Sequence, residues 1–399
     1  MARNVHQQLY DRFGEAVCGR SDDAGVRITS FYEPLAGPGT PVAPTTVKKN
    51  EDERLPAQLF EDRWIEGART RVAWLDQYQS QANRCEIALA EEVERGALEL
   101  PHIVLTAQVD GQVLPMTNLH APHRSRDAYF RDAQDAAGTS FDDTVLGKAL
   151  RDVHPLDMRP YLEGVPSDLV FGVWDSHRKR RIQTRVPRVY ASEMIGVDPL
   201  EGTKAAGRRD EWLFPGDRVV LTKDGSWQPA EGEGAKGTVQ PSKIGHGSIP
   251  PTPSLGPVVV TSIVRHANVA GAGLQALRFG DAGEEYTRAA RVLLAALALL
   301  ADRLAFATAG LRLRSGCDLV LVGERVEWVR RGRDGVAGTE PLDLPGPEQA
   351  LRFFEFALDR ARKAGLVWDG AAVELVPKPQ LAAAIRRSFT FTGIGEVEV

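Results

Sequence analysis

Between Pro199 and Pro251 the chain turns to Gly, Pro and charged residues, with too few apolar side chains to build a core of its own. This constrains the fold most, because apolar strand and helix patterns lie on both sides of it. The stretch therefore reads as a long insertion projecting from a body assembled from both flanks. Within it, Asp217–Leu221 before Asp224-Gly225 reads as one arm of a hairpin.

On the N-terminal flank the first sixty residues read as irregular, with Gly37–Pro56 an exposed arm or long loop. Thr70–Asp76 is β-branched and aromatic, and a helix from about Ser80 repeats Ala82, Cys85, Leu89 and Val93 at helical spacing until Gly96. Ile103–Leu119 is a hairpin on Asp110-Gly111. Helices are expected near Arg126–Asp135 and Thr144–Val153, and Asp168–Asp175 reads as a buried strand. On the C-terminal flank, Gly256–Ala267 reads as a strand, Glu284–Thr308 as a strongly apolar helix and Leu311–Val322 as a strand with Arg312 and Arg314 on one face. Amphipathic helices are expected over Pro347–Ala364 and near Gln380–Ser388. The expected organisation is an arm (1–60), a body in two parts (61–198 and 256–330), the insertion (199–255) and a C-terminal helical region (331–399). Strands and helices in this order predict an α+β chain with an elaborated ferredoxin-like (RRM-like) sheet, an architecture that commonly offers an open face to RNA.

Charge narrows the function. A net charge of −5 and a pI near 6.0 exclude a uniformly basic nucleic-acid binder. Yet Trp174–Tyr190 carries six cations (Arg178, Lys179, Arg180, Arg181, Arg185 and Arg188) against Asp175 alone, a local charge of +5 on a body of −10. A basic stripe on an acidic body suits a polyanion held along one groove. The longest apolar run, Val292–Ala301, is half of the roughly 20 residues that a spanning helix needs. With no signal-peptide pattern at the start, a cytoplasmic location is expected. Cys18, Cys85 and Cys317 lack CxxC spacing, so neither a disulfide framework nor a zinc site is expected.

Four polar clusters are candidates. Gln79, Ser80, Asn83 and Arg84 sit at a strand-to-helix junction, where Ser80 suits a cap and where a phosphate is favoured. Arg84, a cation in a first turn, is poorly placed for helix stability, so a phosphate contact is its expected role. The second cluster, after the hairpin, is His120, His123, Arg124, Arg126 and Asp127, whose spacing fits no common metal motif. The third, Trp174 and Ser176 leading into the basic stripe, interleaves a stacking ring with phosphate donors as a single strand needs. The fourth is Leu313-Arg314-Ser315-Gly316-Cys317-Asp318 together with Gly245-His246-Gly247 of the insertion, with Arg312, Arg314 and His246 as the candidate contacts. Gly232–Gly237 matches GxGxxG without a flanking strand and helix, and Gly271-Ala-Gly273 opens no βαβ ladder. No cofactor is expected.

SQANR (Ser80–Arg84), PHRSRDA (Pro122–Ala128), LVFGVWDS (Leu169–Ser176), GHG (Gly245–Gly247) and LRLRSGCDLVL (Leu311–Leu321), in this order, resemble the backbone subunit of type I-G (formerly I-U) CRISPR Cascade complexes, a branch of the RAMP superfamily. The resemblance spans about residues 69–322. It implies a non-catalytic protein that polymerises along the spacer of a CRISPR RNA, with an RRM-like palm and the insertion as a thumb. Its implied partners are further copies of itself, target DNA through the guide, a fused small capping and processing subunit, a large target-reading subunit and a helicase-nuclease. The competing expectation is a RAMP-type endoribonuclease with His123 or His246 as general acid or base.

Overall fold

The computed structural model describes residues 5–48, 57–175, 185–212, 217–222, 226–230, 237–332, 335–344, 346–368 and 370–389. A helix, α1 (Val5–Val17), and a long strand, β1 (Asp23–Pro34), come first, then β2 (Phe60–Ile65), β3 (Ala68–Asp76) and α2 (Tyr78–Glu94). A hairpin of β4 (His102–Val109) and β5 (Gln112–Thr117) follows, then short helices at Val145–Asp152, Arg159–Gly164 and Ser167–Phe171. After β6 (Tyr190–Val197) the chain forms β7 (Leu200–Arg208), β8 (Ile249–Val259) and β9 (Ser262–Ala270), then α3 (Gly283–Phe306). It closes with β10 (Gly310–Arg314), β11 (Cys317–Arg330), β12 (Gly338–Pro341), α4 (Pro347–Lys363), β13 (Ala372–Pro377) and α5 (Pro379–Phe389).

The main sheet runs β10-β11-β1-β9-β6-β3-β2, every neighbouring pair antiparallel, with β12 beside the far end of β11. The fold is thus mixed α+β on a curled antiparallel sheet. The N-terminal region corrects the arm expected over residues 1–60: β1 is a central strand, paired from Gly25↔Ala270 to Tyr32↔Ile263 on one edge and with β11 on the other. Its inward row is Val26, Ile28, Ser30 and Tyr32. Ser30 interrupts the apolar alternation because its hydroxyl donates to Glu324 Oε2 at 2.8 Å.

Helix α3 is buried nearly all round, as a helix that is apolar on every face must be. Glu284 and Glu285 in its first turn and Arg303 in its last complement the helix dipole. Phe353, Phe354, Ala357 and Ala361 of α4 are buried in the same core, and Phe13 of α1 stacks on Phe353 with ring centres 5.7 Å apart. Beneath β9 the core becomes ionic. Arg265, fully buried, pairs with Asp302, donates to Tyr190 Oη at 2.7 Å and to Gln81 Oε1 at 3.1 Å, and lies 3.8 Å from the Phe306 ring centre. Arg303, equally buried, bridges Asp302 to Glu324. Two cations meet two carboxylates there, which satisfies the requirement that buried charge be paired.

Several local expectations change. The hairpin at Asp110-Gly111 forms, both turn residues having positive φ (49° and 80°), but it lies outside the main sheet. It joins a small sheet in which β13 runs parallel to β4, so residues 331–399 hold strands as well as helices. Asp168–Asp175 is not a strand: Ser167–Phe171 is helical and only Val173–Trp174 is extended, against Arg185–Val186. A short apolar run does not by itself distinguish the two. The helix expected at 126–135 reduces to a 3-10 turn, Arg124–Arg126, and one helical turn, Ala128–Arg131. Leu311–Val322 is a hairpin of β10 and β11 rather than one strand. In the insertion, β7 and β8 form a ribbon from Leu200↔Val259 to Arg208↔Ile249, about 30 Å long at ordinary strand rise. Near the far end of the ribbon, Asp210 accepts from the backbone N–H groups of Gly247 and Trp212, and Trp212 is 89 % exposed. Among the described residues, no helix is long and apolar enough to cross a membrane.

Candidate nucleic-acid interface

Three separated pieces of chain meet in one cleft of about 800 Å³: the start of α2, the loop after β5, and the two-residue ladder Val173–Trp174/Arg185–Val186. From α2 come Gln79 and Asn83, four residues apart and so on one exposed face. The helix is capped at Gln77, whose side chain makes no capping hydrogen bond. Ser80 is therefore inside the first turn and is not the cap expected for it.

The loop contributes His123 and Arg124. Asp127 anchors it, accepting from the His123 N–H at 3.2 Å and from Tyr129 N–H at 3.1 Å. Arg124 has φ of 52°, a left-handed conformation uncommon outside glycine. Its guanidinium holds Glu86 through both oxygens at 2.6 and 2.8 Å and donates to Gly172 O at 2.9 Å. Burial pushes the Glu86 carboxyl up to about 7, with Arg124 pulling it down. Burial likewise raises Asp168 to about 6, against the Ser125 hydroxyl that donates to it.

The third piece supplies Trp174, 51 % exposed, with the Arg185 guanidinium 5.3 Å from its ring centre. Arg188, counted in the basic stripe but not among the candidate contacts, also lines the cleft. The signal that could have found it is its place in the basic stripe, three residues after Arg185 and two before β6. Gly172, with φ of 83°, sits beneath it; a Cβ there would come within 3.0 Å of Arg188 Cγ and of Val186 O.

The cleft thus gathers Gln79, Asn83, His123, Arg124, Trp174 and Arg185 from the expected set. The other described members lie elsewhere. Arg84 ties α2 to β10, donating to Asp76 Oδ2 at 2.9 Å, Arg312 O at 3.0 Å and Leu313 O at 2.9 Å. Because α2 begins at Tyr78, Arg84 falls in its second turn rather than the first, and its bond to Asp76 accounts for the side chain with no phosphate required. Arg314 donates to Ala43 O at 2.9 Å and lies 3.6 Å from Asp76, while Arg312 is exposed near Asp318. Arg126 donates to Tyr161 Oη at 2.9 Å and to Leu150 O. His246 is on the insertion, its ring 5.4 Å from that of Trp227. Ser176, Arg178, Lys179, Arg180 and Arg181 lie outside the described residues.

Chemically the cleft offers a half-exposed indole, two cations that no carboxylate among the described residues holds, an imidazole and two amides. That set can stack a ring, bind an anion and hydrogen-bond base edges. Of the second cluster, the His120 ring bonds Thr117 Oγ1 at 2.9 Å, and among the described residues no three His, Cys, Asp or Glu side chains gather as a metal site would require.

A comparison with curated proteins yields no match. Residues 26–199, which include every side chain lining the cleft, match the family model described as CRISPR-associated protein GSU0053 (Cas_GSU0053). That match indicates a CRISPR-associated (Cas) protein family.

Proposed function

We propose that this chain is a non-catalytic, RNA-binding backbone subunit of a type I-G Cascade, polymerising along the spacer of the guide so that the guide can pair with target DNA. The observation that carries the reading is the cleft, where Trp174, His123, Arg124 and Arg185 converge from pieces far apart in sequence. The strand order supports it: β11-β1-β9-β6, with α2 between β1 and β6 and α3 between β9 and β11, is the order of a ferredoxin-like palm. The ribbon of β7 and β8 has the reach of a thumb. In this reading the partners are further copies of the chain, the small capping and processing subunit, the large target-reading subunit and a helicase-nuclease recruited later.

The test is purification of the full chain co-expressed with a CRISPR array. RNA of discrete, spacer-containing length should co-purify, with particles of regular size in solution. Protein free of nucleic acid under those conditions would overturn the reading. The exposed position of His123 in the cleft favours a second reading, an endoribonuclease. Repeat RNA cut by the wild type and left whole by His123→Ala would establish it in place of the first.

A further inference from the structure

The chemistry of the cleft divides between its two walls, and the division says what kind of nucleic acid it takes. On one wall, Trp174 presents a half-exposed ring whose stacking partner among the described residues is a single guanidinium, that of Arg185. On the other, Arg188 reaches into the cleft over Gly172. Among the described residues, no carboxylate lies within ion-pair distance of Arg188. The charged and titratable groups around it are Arg124, Glu86 and Tyr78, and Glu86 is already held through both oxygens by Arg124. Arg188 is exposed to the cleft, and partial burial, then the like charge of Arg124, pull its pKa below the ordinary value while leaving it charged at neutral pH. A neighbouring anion would offset that, and the described residues supply none free.

Resting on the reading above, we infer that the cleft is a seat for one unstacked nucleotide of a single strand: Arg188 holds its phosphate and Trp174 stacks its base. A base within a duplex is covered on both faces by its neighbours and cannot lie on the indole. A single strand can expose one, at a cost its other contacts offset. The cleft therefore discriminates single-stranded from duplex nucleic acid through the ring, and Arg188 adds affinity without regard to sequence.

The experiment measures binding of a short labelled single-stranded oligoribonucleotide and of its duplex to the full chain over a salt series. Arg188→Ala should weaken single-strand binding roughly 10-fold and flatten the dependence of log affinity on log salt by about 0.7. Arg188→Gln, which keeps the side-chain bulk, should do the same, and unchanged melting temperatures exclude misfolding. Trp174→Ala should weaken single-strand binding roughly 10-fold with the slope intact, and should erase the preference over duplex. An unchanged slope in both Arg188 variants, or duplex bound as tightly as single strand by the wild type, overturns the inference while leaving an RNA-binding subunit standing. A wild type that binds neither ligand removes both.

Discussion

The ionic core beneath β9 and the cleft beside α2 use the same side chain to opposite ends. In the core, Arg265 and Arg303 meet Asp302, Glu324, Tyr190 and Gln81, and no donor faces water. In the cleft, Arg185 and Arg188 have an aromatic ring and a glycine beneath them and open space in front. The 39 arginines of the chain thus include cations paired inside the core, whose removal should destabilise the fold, and cations facing a cleft, ligand-directed in the reading proposed above, whose removal the fold should tolerate. Composition counts both alike. Only the position of the nearest carboxylate separates them.

The sharpest break in that contrast is Asp302→Ala. It leaves two buried guanidinium groups without their shared counter-ion, and the expected loss is about 3–5 kcal/mol of unfolding free energy, read by denaturant titration. A loss comparable to that of a surface substitution would mean that the network is not the electrostatic centre of the core.

Next is the pH dependence at Glu86, on the border between the two regions. Its folded pKa of about 7 exceeds the ordinary 4.5, so below 4.5 both states hold the proton. Between these values the native state keeps a proton that the unfolded state releases, and stability falls as pH rises. Relative to Glu86→Gln, the wild type should lose up to about 3 kcal/mol across that window, because a one-proton difference between the two states changes stability by about 1.4 kcal/mol for every pH unit. Parallel stability profiles for the two proteins would show that Glu86 is ionised throughout.

Arg84→Ala tests a residue whose sequence context points to the cleft and whose bonds belong to the frame. Losing its three hydrogen bonds should cost about 1–3 kcal/mol, with Asp76 left less satisfied, while the affinity of folded protein for RNA stays near that of the wild type. Weakened RNA binding at unchanged stability would move Arg84 to the ligand-directed class. The smallest effect is expected from replacing Lys204–Lys243 by a short Gly/Ser linker. The part of β7 removed is exposed, and Val219, buried within the segment, belongs to neither hydrophobic cluster of the body, so the body should keep its stability to within about 1 kcal/mol, and only assembly on RNA should fail. Global unfolding would make the ribbon part of the core.

Long, one-signal elements were legible in the sequence: α3 from its unbroken apolar run, α4 from its helical stripe, and the β4–β5 turn from Asp110-Gly111. Strand β1 was not, because the inward Ser30 bonds Glu324 and Arg265, both more than 200 residues away. The site was legible as a set of clusters, not as a place. Gln79 and Asn83, His123 and Arg124, and Trp174 and Arg185 stand in separate stretches of sequence, and their meeting in one cleft is visible only in the fold. The protein partners of an arginine were not legible where they are remote in sequence, as with Arg84 and the carbonyls of Arg312 and Leu313.

The place of β1 between β9 and β11 sets the order of events during synthesis. Neither neighbour exists until residues 262–270 and 317–330 have left the ribosome, so an early-made strand waits with both hydrogen-bonding edges open while most of the chain is translated. Sheet closure of this kind has a high contact order and is slow. Prematurely terminated chains ending before β11 would carry a β1 edge with nothing to cover it, and would be prone to join strand to strand with one another.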